Sequence, residues 1–371
     1  MKISVLQEDL IKALSVVSRS VAPKATLPIL ANILISTDKG RLKLSSTNLE
    51  IGVNFWIGGK IEKEGAITIP ARALTEFVSS LPAGTVDLEV SETTLSVNAN
   101  SYKAKFTGMA SDEFPHLPRF TGQEILTLEK NNLSKILSQV IFAASFDEGR
   151  PVLTGVLVKN LGGKISLVAT DGYRLSLREM AVPASSLKQD FLIPAKTLLE
   201  VSRVSQDSRG EEETIKVGLA SEKSQIIFTF PDIEISSRLI EGDFPDWTKI
   251  IPTSSSTQAT FDKEDFLRAV KMASIFAREQ ANIVKVKIES DKLRISAETP
   301  QLGTNESQIE AKVEGEGLEI AFNCRFLLDY LGNVSEDEIV LETNDPLSPG
   351  VFKSKTDPSW THIIMPVRIQ D

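Results

Sequence analysis

The sequence predicts an α+β protein built from three tandem copies of one unit, each pairing two helices with two sets of antiparallel strands. Two repeated motifs and the length of the chain carry that prediction. The segments SVLQEDLIKAL (4–14), TLEKNNLSKIL (127–137) and TFDKEDFLRAV (260–270) share a Ser/Thr start, a polar stretch, and apolar positions at Leu10/Leu14, Leu133/Leu137 and Phe266/Val270. A second set, IPARAL, IPAKTL and FNCRFL, recurs at Ile69, Ile193 and Phe322. At 371 residues the chain exceeds what a single core sustains, and several cores of ordinary size fit it.

In chain order, each of the first three segments reads as the opening of an amphipathic helix, because its apolar residues recur along one helical face. GRLKLSST, GKISLVAT and DKLRISAE follow at matching places, and their alternation reads as half-buried strands. The second motif opens the second helix, which continues through Leu74, Phe77, Val78 and Leu81 in the first unit. In the first two units Pro stands at that start, where its missing N–H costs the helix nothing. VDLEVSETTLSVNA, IKVGLASEKSQIIFTF and EIVLETN then read as hairpin strands. SDEFPHL around Phe114 and EGDFPDW around Phe244 close the first two units, with DPSWTHI the weaker counterpart in the third. Polar, turn-rich breaks at 118–124 and 252–258 set domains of 1–120, 121–252 and 253–371.

One turn is ambiguous. VATDGYRLSLREM (168–180) sets Asp171-Gly172 between two alternating runs, a common hairpin turn because Gly accepts positive φ. Tyr173, Arg174 and Leu175 then either start the next strand or stand at the rim of a pocket.

The net charge of −9 argues against a chain that simply coats nucleic acid. The cations nevertheless fall in register: Lys12, Lys135 and Arg268 share one place in the first helix, and Arg72, Lys196 and Arg325 share one in the second. Lys12 is roughly 200° around the helix from Leu10 and from Leu14, so it faces away from the core. Arg19, seven residues on, shares its face, and Lys271 and Arg278 lie near that of Arg268. Basic helix faces in an acidic chain suit a device that surrounds a polyanion through sequence-independent phosphate contacts. A solvated helix face is the alternative.

Other chemistry finds little support. The longest apolar stretch, 27–35, is about half a membrane span and is interrupted by Asn32, so a cytoplasmic protein without membrane partners is expected. The single Cys324 forms no internal disulfide, and with His116 and His362 alone no His/Cys metal cluster is within reach, so neither cofactor nor metal is expected. Phosphate-loop, dinucleotide, zinc-protease and hydrolase motifs are missing. His116 and His362 have no nucleophile paired with them by motif, and no catalytic residue is assigned. The acidic run at 210–214 reads as a solvated loop, and Asp243 and Asp246 as hydrogen-bonding supports of a Phe-Pro turn.

The three-unit layout, TLPILANILI after the first helix, the ATDGYRL turn, FPDW and the C-terminal MPVR closely resemble the bacterial DNA sliding clamps, over 1–369. The resemblance implies a ring-shaped head-to-tail homodimer of three-domain subunits, with helices around a central hole and sheets outside, threaded by double-stranded DNA. It places Lys12, Arg19, Lys24, Arg72, Lys135, Lys196, Arg268, Lys271 and Arg325 toward the duplex; an ordinary exposed lysine is the alternative for Lys24. It puts Phe106, Ile275 and Phe276 at the subunit interface, although each can equally belong to a core. It further implies a pocket that takes short peptides from the replicative polymerase, the clamp loader and repair polymerases. Leu153, Thr170, Gly172, Tyr173, Arg174 and Leu175 would form one wall, Pro245, Lys249 and Ile250 a second, and Asn323, Phe326, Ile363, Met365, Pro366 and Arg368 the remainder. Tyr173 stands where many members have His and Lys249 where Arg is frequent, a change that bears on bidentate recognition there. The loop at 344–350 does not align cleanly. An interaction scaffold with merely solubilising cations remains the competing reading.

Overall fold

A computed structural model of the chain describes residues 1–22, 27–120, 124–181, 187, 189–207, 214–220, 224–279 and 281–368. One element order occurs three times. The first copy runs β1 (Lys2–Leu6), α1 (Gln7–Val17), β2 (Asn32–Asp38), β3 (Arg41–Thr47), β4 (Ile51–Ile57), β5 (Lys60–Lys63), β6 (Ala66–Pro70), α2 (Ala71–Ser79), β7 (Thr85–Ser91), β8 (Thr94–Ala99) and β9 (Tyr102–Thr107). The second runs β10 (Glu124–Glu129), α3 (Lys130–Ile141), β11 (Gly155–Asn160), β12 (Lys164–Thr170), β13 (Arg174–Ala181), β14 (Phe191–Pro194), α4 (Ala195–Asp207), β15 (Thr214–Leu219), β16 (Gln225–Thr229) and β17 (Ile233–Arg238). The third runs β18 (Thr257–Asp262), α5 (Lys263–Ala277), β19 (Ile283–Ile288), β20 (Lys292–Thr299), β21 (Gly303–Gly315), β22 (Leu318–Asn323), α6 (Cys324–Leu331), β23 (Glu338–Thr343), β24 (Gly350–Ser354) and β25 (Trp360–Ile364). The long strand β21 corresponds to β4 and β5 together, which Gly58 and Gly59 separate in the first copy.

The helices fall where the motifs place them, with two corrections. Ser4, Thr127 and Thr260, read as helix starts, lie inside β1, β10 and β18, and the helices begin three residues later. Alternating apolar residues of those strands, such as Val5, Leu128 and Phe261, run straight into the helical pattern and hide the boundary. The third helix start is capped by Asp262, which accepts from the Asp265 amide at 2.9 Å. DPSWTHI is not a counterpart of the FPDW turn: Trp360 and the two residues after it belong to β25, the copy's last strand.

The chain divides into two compact units. The first, Met1–Asn131 with Arg203–Leu239, holds a five-stranded sheet β5-β1-β7-β8-β9 and an eight-stranded sheet β10-β15-β16-β17-β4-β3-β2-β6. The second, Asn132–Pro183, Leu187–Ser202 and Ile240–Asp371, holds a twelve-stranded sheet β14-β11-β12-β13-β25-β24-β23-β18-β21-β20-β19-β22. Each sheet of eight or more strands is continuous because the last strand of one copy pairs with the fourth strand of the copy before it. In the first unit β17 pairs with β4, setting Ser237 opposite Ile51; in the second β25 pairs with β13, setting Ile364 opposite Arg174. These two joints are equivalent in register, since Ile51 and Arg174 both stand one residue before the partner of the last residue of the preceding strand (Thr47–Gly52, Thr170–Leu175).

Candidate partner-binding pocket and nucleic-acid face

The β12–β13 hairpin is built by side chains. Asp171 accepts from the Tyr173 and Arg174 amides at 2.8 and 3.0 Å, the Thr170 hydroxyl donates to the Arg174 carbonyl at 2.6 Å, and Gly172 sits at φ +94. Tyr173 therefore belongs to the turn and is 62% exposed, whereas Arg174 begins the strand and is buried. The expectation that both stand at a rim is thus half corrected. Pleating sends Arg174 to the helix side of the sheet and Leu175 to the opposite side.

Arg174 is the hub beneath the turn. Its guanidinium donates to Asp171 at 3.0 Å, to Asp329 of α6 at 2.5 Å and to the carbonyl of Phe142, just past α3, at 2.7 Å. It also lies over the Phe142 and Phe326 rings at 5.4 and 4.6 Å. With three of its donors so engaged, Arg174 holds the hairpin to both helices. Asp329 and Phe142 escaped the sequence reading because they are remote from residue 174 in the chain.

On the opposite face, Leu175 and Ile363 meet in an apolar cluster with Trp247, and Phe244 and Ile250 pack against it. The 3-10 turn Trp247–Lys249 is capped by Asp246, which accepts from the Thr248 amide at 3.3 Å and pairs with Lys249 at 3.0 Å. Hydrogen bonds from Thr248 first, and then from Lys249, hold the Asp246 carboxyl below its usual range. The Tyr173 carbonyl accepts from the Met365 amide at 2.8 Å, and Val367 donates to Ala321 at 2.8 Å, which ties the C-terminal segment to hairpin and β22 alike. The residues assigned to the pocket thus sort into a floor and a rim. Leu153, Thr170, Leu175 and Ile363 are buried; Ile250, Asn323, Phe326 and Pro366 are half-buried; Gly172, Tyr173, Pro245, Lys249, Met365 and Arg368 are exposed. Asn323 accepts from the Arg325 amide at 2.9 Å and so caps α6. The loop at 344–350 is closed by Asp345, which accepts from the Leu347 amide and the Ser348 hydroxyl at 2.8 and 2.6 Å and leaves Leu347 exposed.

The helix cations stand outward, but most are paired with acids. Arg72 pairs with Glu76 at 2.8 Å, Lys135 with Glu336 at 3.0 Å, Lys196 with Glu148 at 3.6 Å and Arg268 with Asp265 at 3.5 Å. Lys271 and Arg325 are exposed. Two assignments need correction. Lys12 is half-buried and lines a cavity with Asp9, Trp56 and Asp232 instead of standing clear on the helix surface. Arg19 does not share its helix face, because α1 ends at Val17 and Arg19 lies in the 3-10 turn Ser18–Ser20, 3.9 Å from Asp207. Lys24 and most of the acidic run at 210–214 lie outside the described residues. Of the interface residues, Ile275 is exposed, whereas Phe276 packs partly against the third-copy core and Phe106 makes an edge contact with Phe77 at 5.6 Å.

Among the described residues no group of three or more His, Cys, Asp or Glu side chains could hold a metal ion, and no helix is long and apolar enough to cross a membrane. Cys324 is buried, which pushes its thiol up.

Family models for the N-terminal, central and C-terminal domains of the DNA polymerase III beta subunit match residues 1–118, 127–246 and 248–368. A beta sliding clamp from Synechocystis sp. is 32% identical over 392 residues, covering 100% of both chains. The crystal structure of the DNA polymerase sliding clamp from Bacillus subtilis superposes with a TM-score of 0.93 at 28% identity, over 100% of both chains. That of the sliding clamp from Bartonella birtlesii bound to griselimycin gives 0.93 at 31% identity, again over 100% of both. Three tandem clamp domains, matched in sequence and in structure along their whole length, establish that the chain belongs to the DNA polymerase III beta subunit family, the bacterial sliding clamps.

Proposed function

We infer that two copies of this chain close head to tail into a ring around double-stranded DNA and tether polymerases to it. The observation that carries this reading is the repeated joint. In two joints the last strand of one copy is added to the fourth strand of the copy before, yet among the described residues β9 pairs only with β8, and the 303–310 part of β21 pairs only with β20. Applied once more between two chains, the same rule joins β9 to β21 and puts Asn305 of one chain opposite Ala104 of the other, as Val53 faces Ile235 and Ser176 faces His362. A head-to-tail contact that uses unlike surfaces must either close or polymerise, and with three copies per chain a dimer is a ring of six. Exposed Met272 and Ile275 on α5 fit that third joint, since Met272 occupies the place held by Val16 and Gln139, both buried in the other two.

The exposed helix cations serve as weak, interchangeable phosphate contacts. Surface ion pairs contribute little, about 0–1 kcal/mol, so Arg72, Lys135, Lys196 and Arg268 can exchange their carboxylates for passing phosphates without a tight grip. Such a surface permits sliding and leaves retention to topology. Domains of 1–120, 121–252 and 253–371, the DNA-facing assignments and the interface residues Phe106, Ile275 and Phe276 belong to this proposal.

The apolar floor of Leu175, Ile250 and Ile363, rimmed by Tyr173, Lys249 and Met365, suits a short peptide with aliphatic anchors from the replicative polymerase, the clamp loader or a repair polymerase. Methionine at the rim adapts to several such ligands. The chain supplies topology and attachment, and the chemistry belongs to its partners.

The test is retention on closed circular duplex after loading by the cognate clamp loader and ATP, followed by a single cut of the circle. Release on cutting with retention on the intact circle is expected. Equal retention on both, or none on either with an active loader, contradicts encirclement.

A further inference from the structure

The joint between the second and third copies buries polar side chains that lack protein partners. Both nitrogens of His362, both polar atoms of the Gln139 amide and the Tyr330 hydroxyl have no hydrogen-bond partner among the described residues. Gln139 and His362 are 0% exposed and Tyr330 1%, so bulk water does not reach them.

The fold gathers these groups. The His362 ring stacks on Tyr330 with centroids 5.1 Å apart and planes 10° apart, and it lies 5.0 Å from Phe142, one helical turn beyond Gln139. Ser176 stands opposite His362 in the β13–β25 ladder and donates to the Gln139 carbonyl at 2.6 Å, while the Trp360 indole donates to Ser176 at 2.9 Å. The Ser176 proton is thus committed to the backbone.

Native interiors pair nearly all buried polar groups, because an unpaired one forfeits its hydration without return. A neutral imidazole offers one donor and one acceptor, an amide two donors and an acceptor, and a phenol one of each. The set carries no net charge and mixes both roles, which matches a neutral molecule that donates and accepts equally well. The smallest molecule of that kind is water, which commonly satisfies buried polar groups.

We infer that this joint holds one or more internal water molecules bound by Gln139, His362 and Tyr330, directly behind the Phe142 ring that backs Arg174. The inference does not depend on the functional reading. The equivalent places in the first joint support it: Gln139, Ser176 and His362 correspond to Val16, Val53 and Ile235, all buried and apolar. The first joint therefore folds without polar residues at these three places.

The test uses the full chain with Gln139→Leu, His362→Phe and Tyr330→Phe, singly and combined, alongside a high-resolution crystal structure of the unaltered protein. A hydrated joint gives a lower urea midpoint for each single variant, because each removes a ligand of the water and strands the groups that remain. The triple variant then recovers to at least the parent midpoint, since no polar group is left to hydrate. Ordered solvent should lie within hydrogen-bond distance of at least two of the three side chains. Single variants that each raise the midpoint, or a crystal structure in which the three bond directly to one another with no solvent between them, would overturn the inference. The crystal structure decides even where a variant fails to fold.

Discussion

The two joints have the same topology and register but differ in polarity at several matching places on their two faces. At the β4–β17 joint the helix side carries Ile51, Val53, Ile233, Ile235 and Ser237, and the other side carries Gly52, Asn54, Glu234 and Ser236. At the β13–β25 joint the helix side carries Arg174, Ser176 and His362 beside the core residues Trp360 and Ile364, and the other side carries Leu175, Leu177 and Ile363. Period-two alternation makes such an exchange possible without changing a single backbone hydrogen bond. The lesson is that one scaffold supports either a closed joint or a pocket. In the first joint a Cβ on Gly52 would meet Leu117 Cδ2 and Ser236 Oγ at 2.7 Å, so the chain's own Leu117 covers the place that Leu175 and Ile363 floor in the second. On the helix side of the second joint the polar residues Ser176 and His362 join Arg174, which organises that side.

The comparison is broken most severely at Arg174. Arg174→Ala removes the partner of Asp171 and Asp329 and the donor to the Phe142 carbonyl, and a loss of about 3–5 kcal/mol in urea unfolding is expected, as for other disrupted buried pairs. The same variant should lose binding of a partner-derived peptide in titration calorimetry, because the hairpin is no longer held to α3 and α6. A stability near that of the parent would show that the hub is dispensable.

Transplanting polarity into the first joint is the next largest change. Ile235→His puts an imidazole without partners into an apolar interior and should cost about 2–3 kcal/mol through an unpaired buried group. Its signature is a lower thermal midpoint with peptide binding intact, since the pocket lies in the other joint.

A smaller effect sharpens the comparison through pH. Burial, and secondarily the Arg174 charge, holds His362 well below its ordinary value of 6.5; the neighbouring acids Asp171 and Asp329 are engaged by Arg174. Below pH 6.5 the unfolded chain takes up a proton there that the folded chain refuses. His362 therefore leaves stability intact above that pH and erodes it as pH falls further. His362→Phe should flatten that part of the curve in denaturation at a series of pH values, whereas an unchanged slope would place the titrating group elsewhere.

Much of this architecture is legible in the sequence because the copies repeat. Leu10, Leu133 and Phe266 mark three helices, and GRLKLSST, GKISLVAT and DKLRISAE fall on β3, β12 and β20. What escapes the sequence is contact between residues far apart in the chain: Arg174 with Asp329, Lys135 with Glu336, Arg19 with Asp207. Lys12 was misplaced because a helical wheel does not register the β16–β17 turn that borders its cavity. The hub and the polar joint did leave a signal. Reading Arg174, Ser176 and His362 against Ile51, Val53 and Ile235 marks the second joint as different before any coordinates are known.

The account rests on a third joint, formed between chains by the rule that governs the other two. Asn305→Cys and Ala104→Cys in one chain, oxidised in solution, test it directly, because residues directly opposite on antiparallel strands approach to roughly 4.5–5.5 Å, within disulfide reach. A covalent closed dimer that resists denaturant and remains on circular DNA after loading is expected, with much weaker cross-linking when Asn305→Cys is replaced by Glu306→Cys. No cross-link, or an open ladder of polymers, would contradict it.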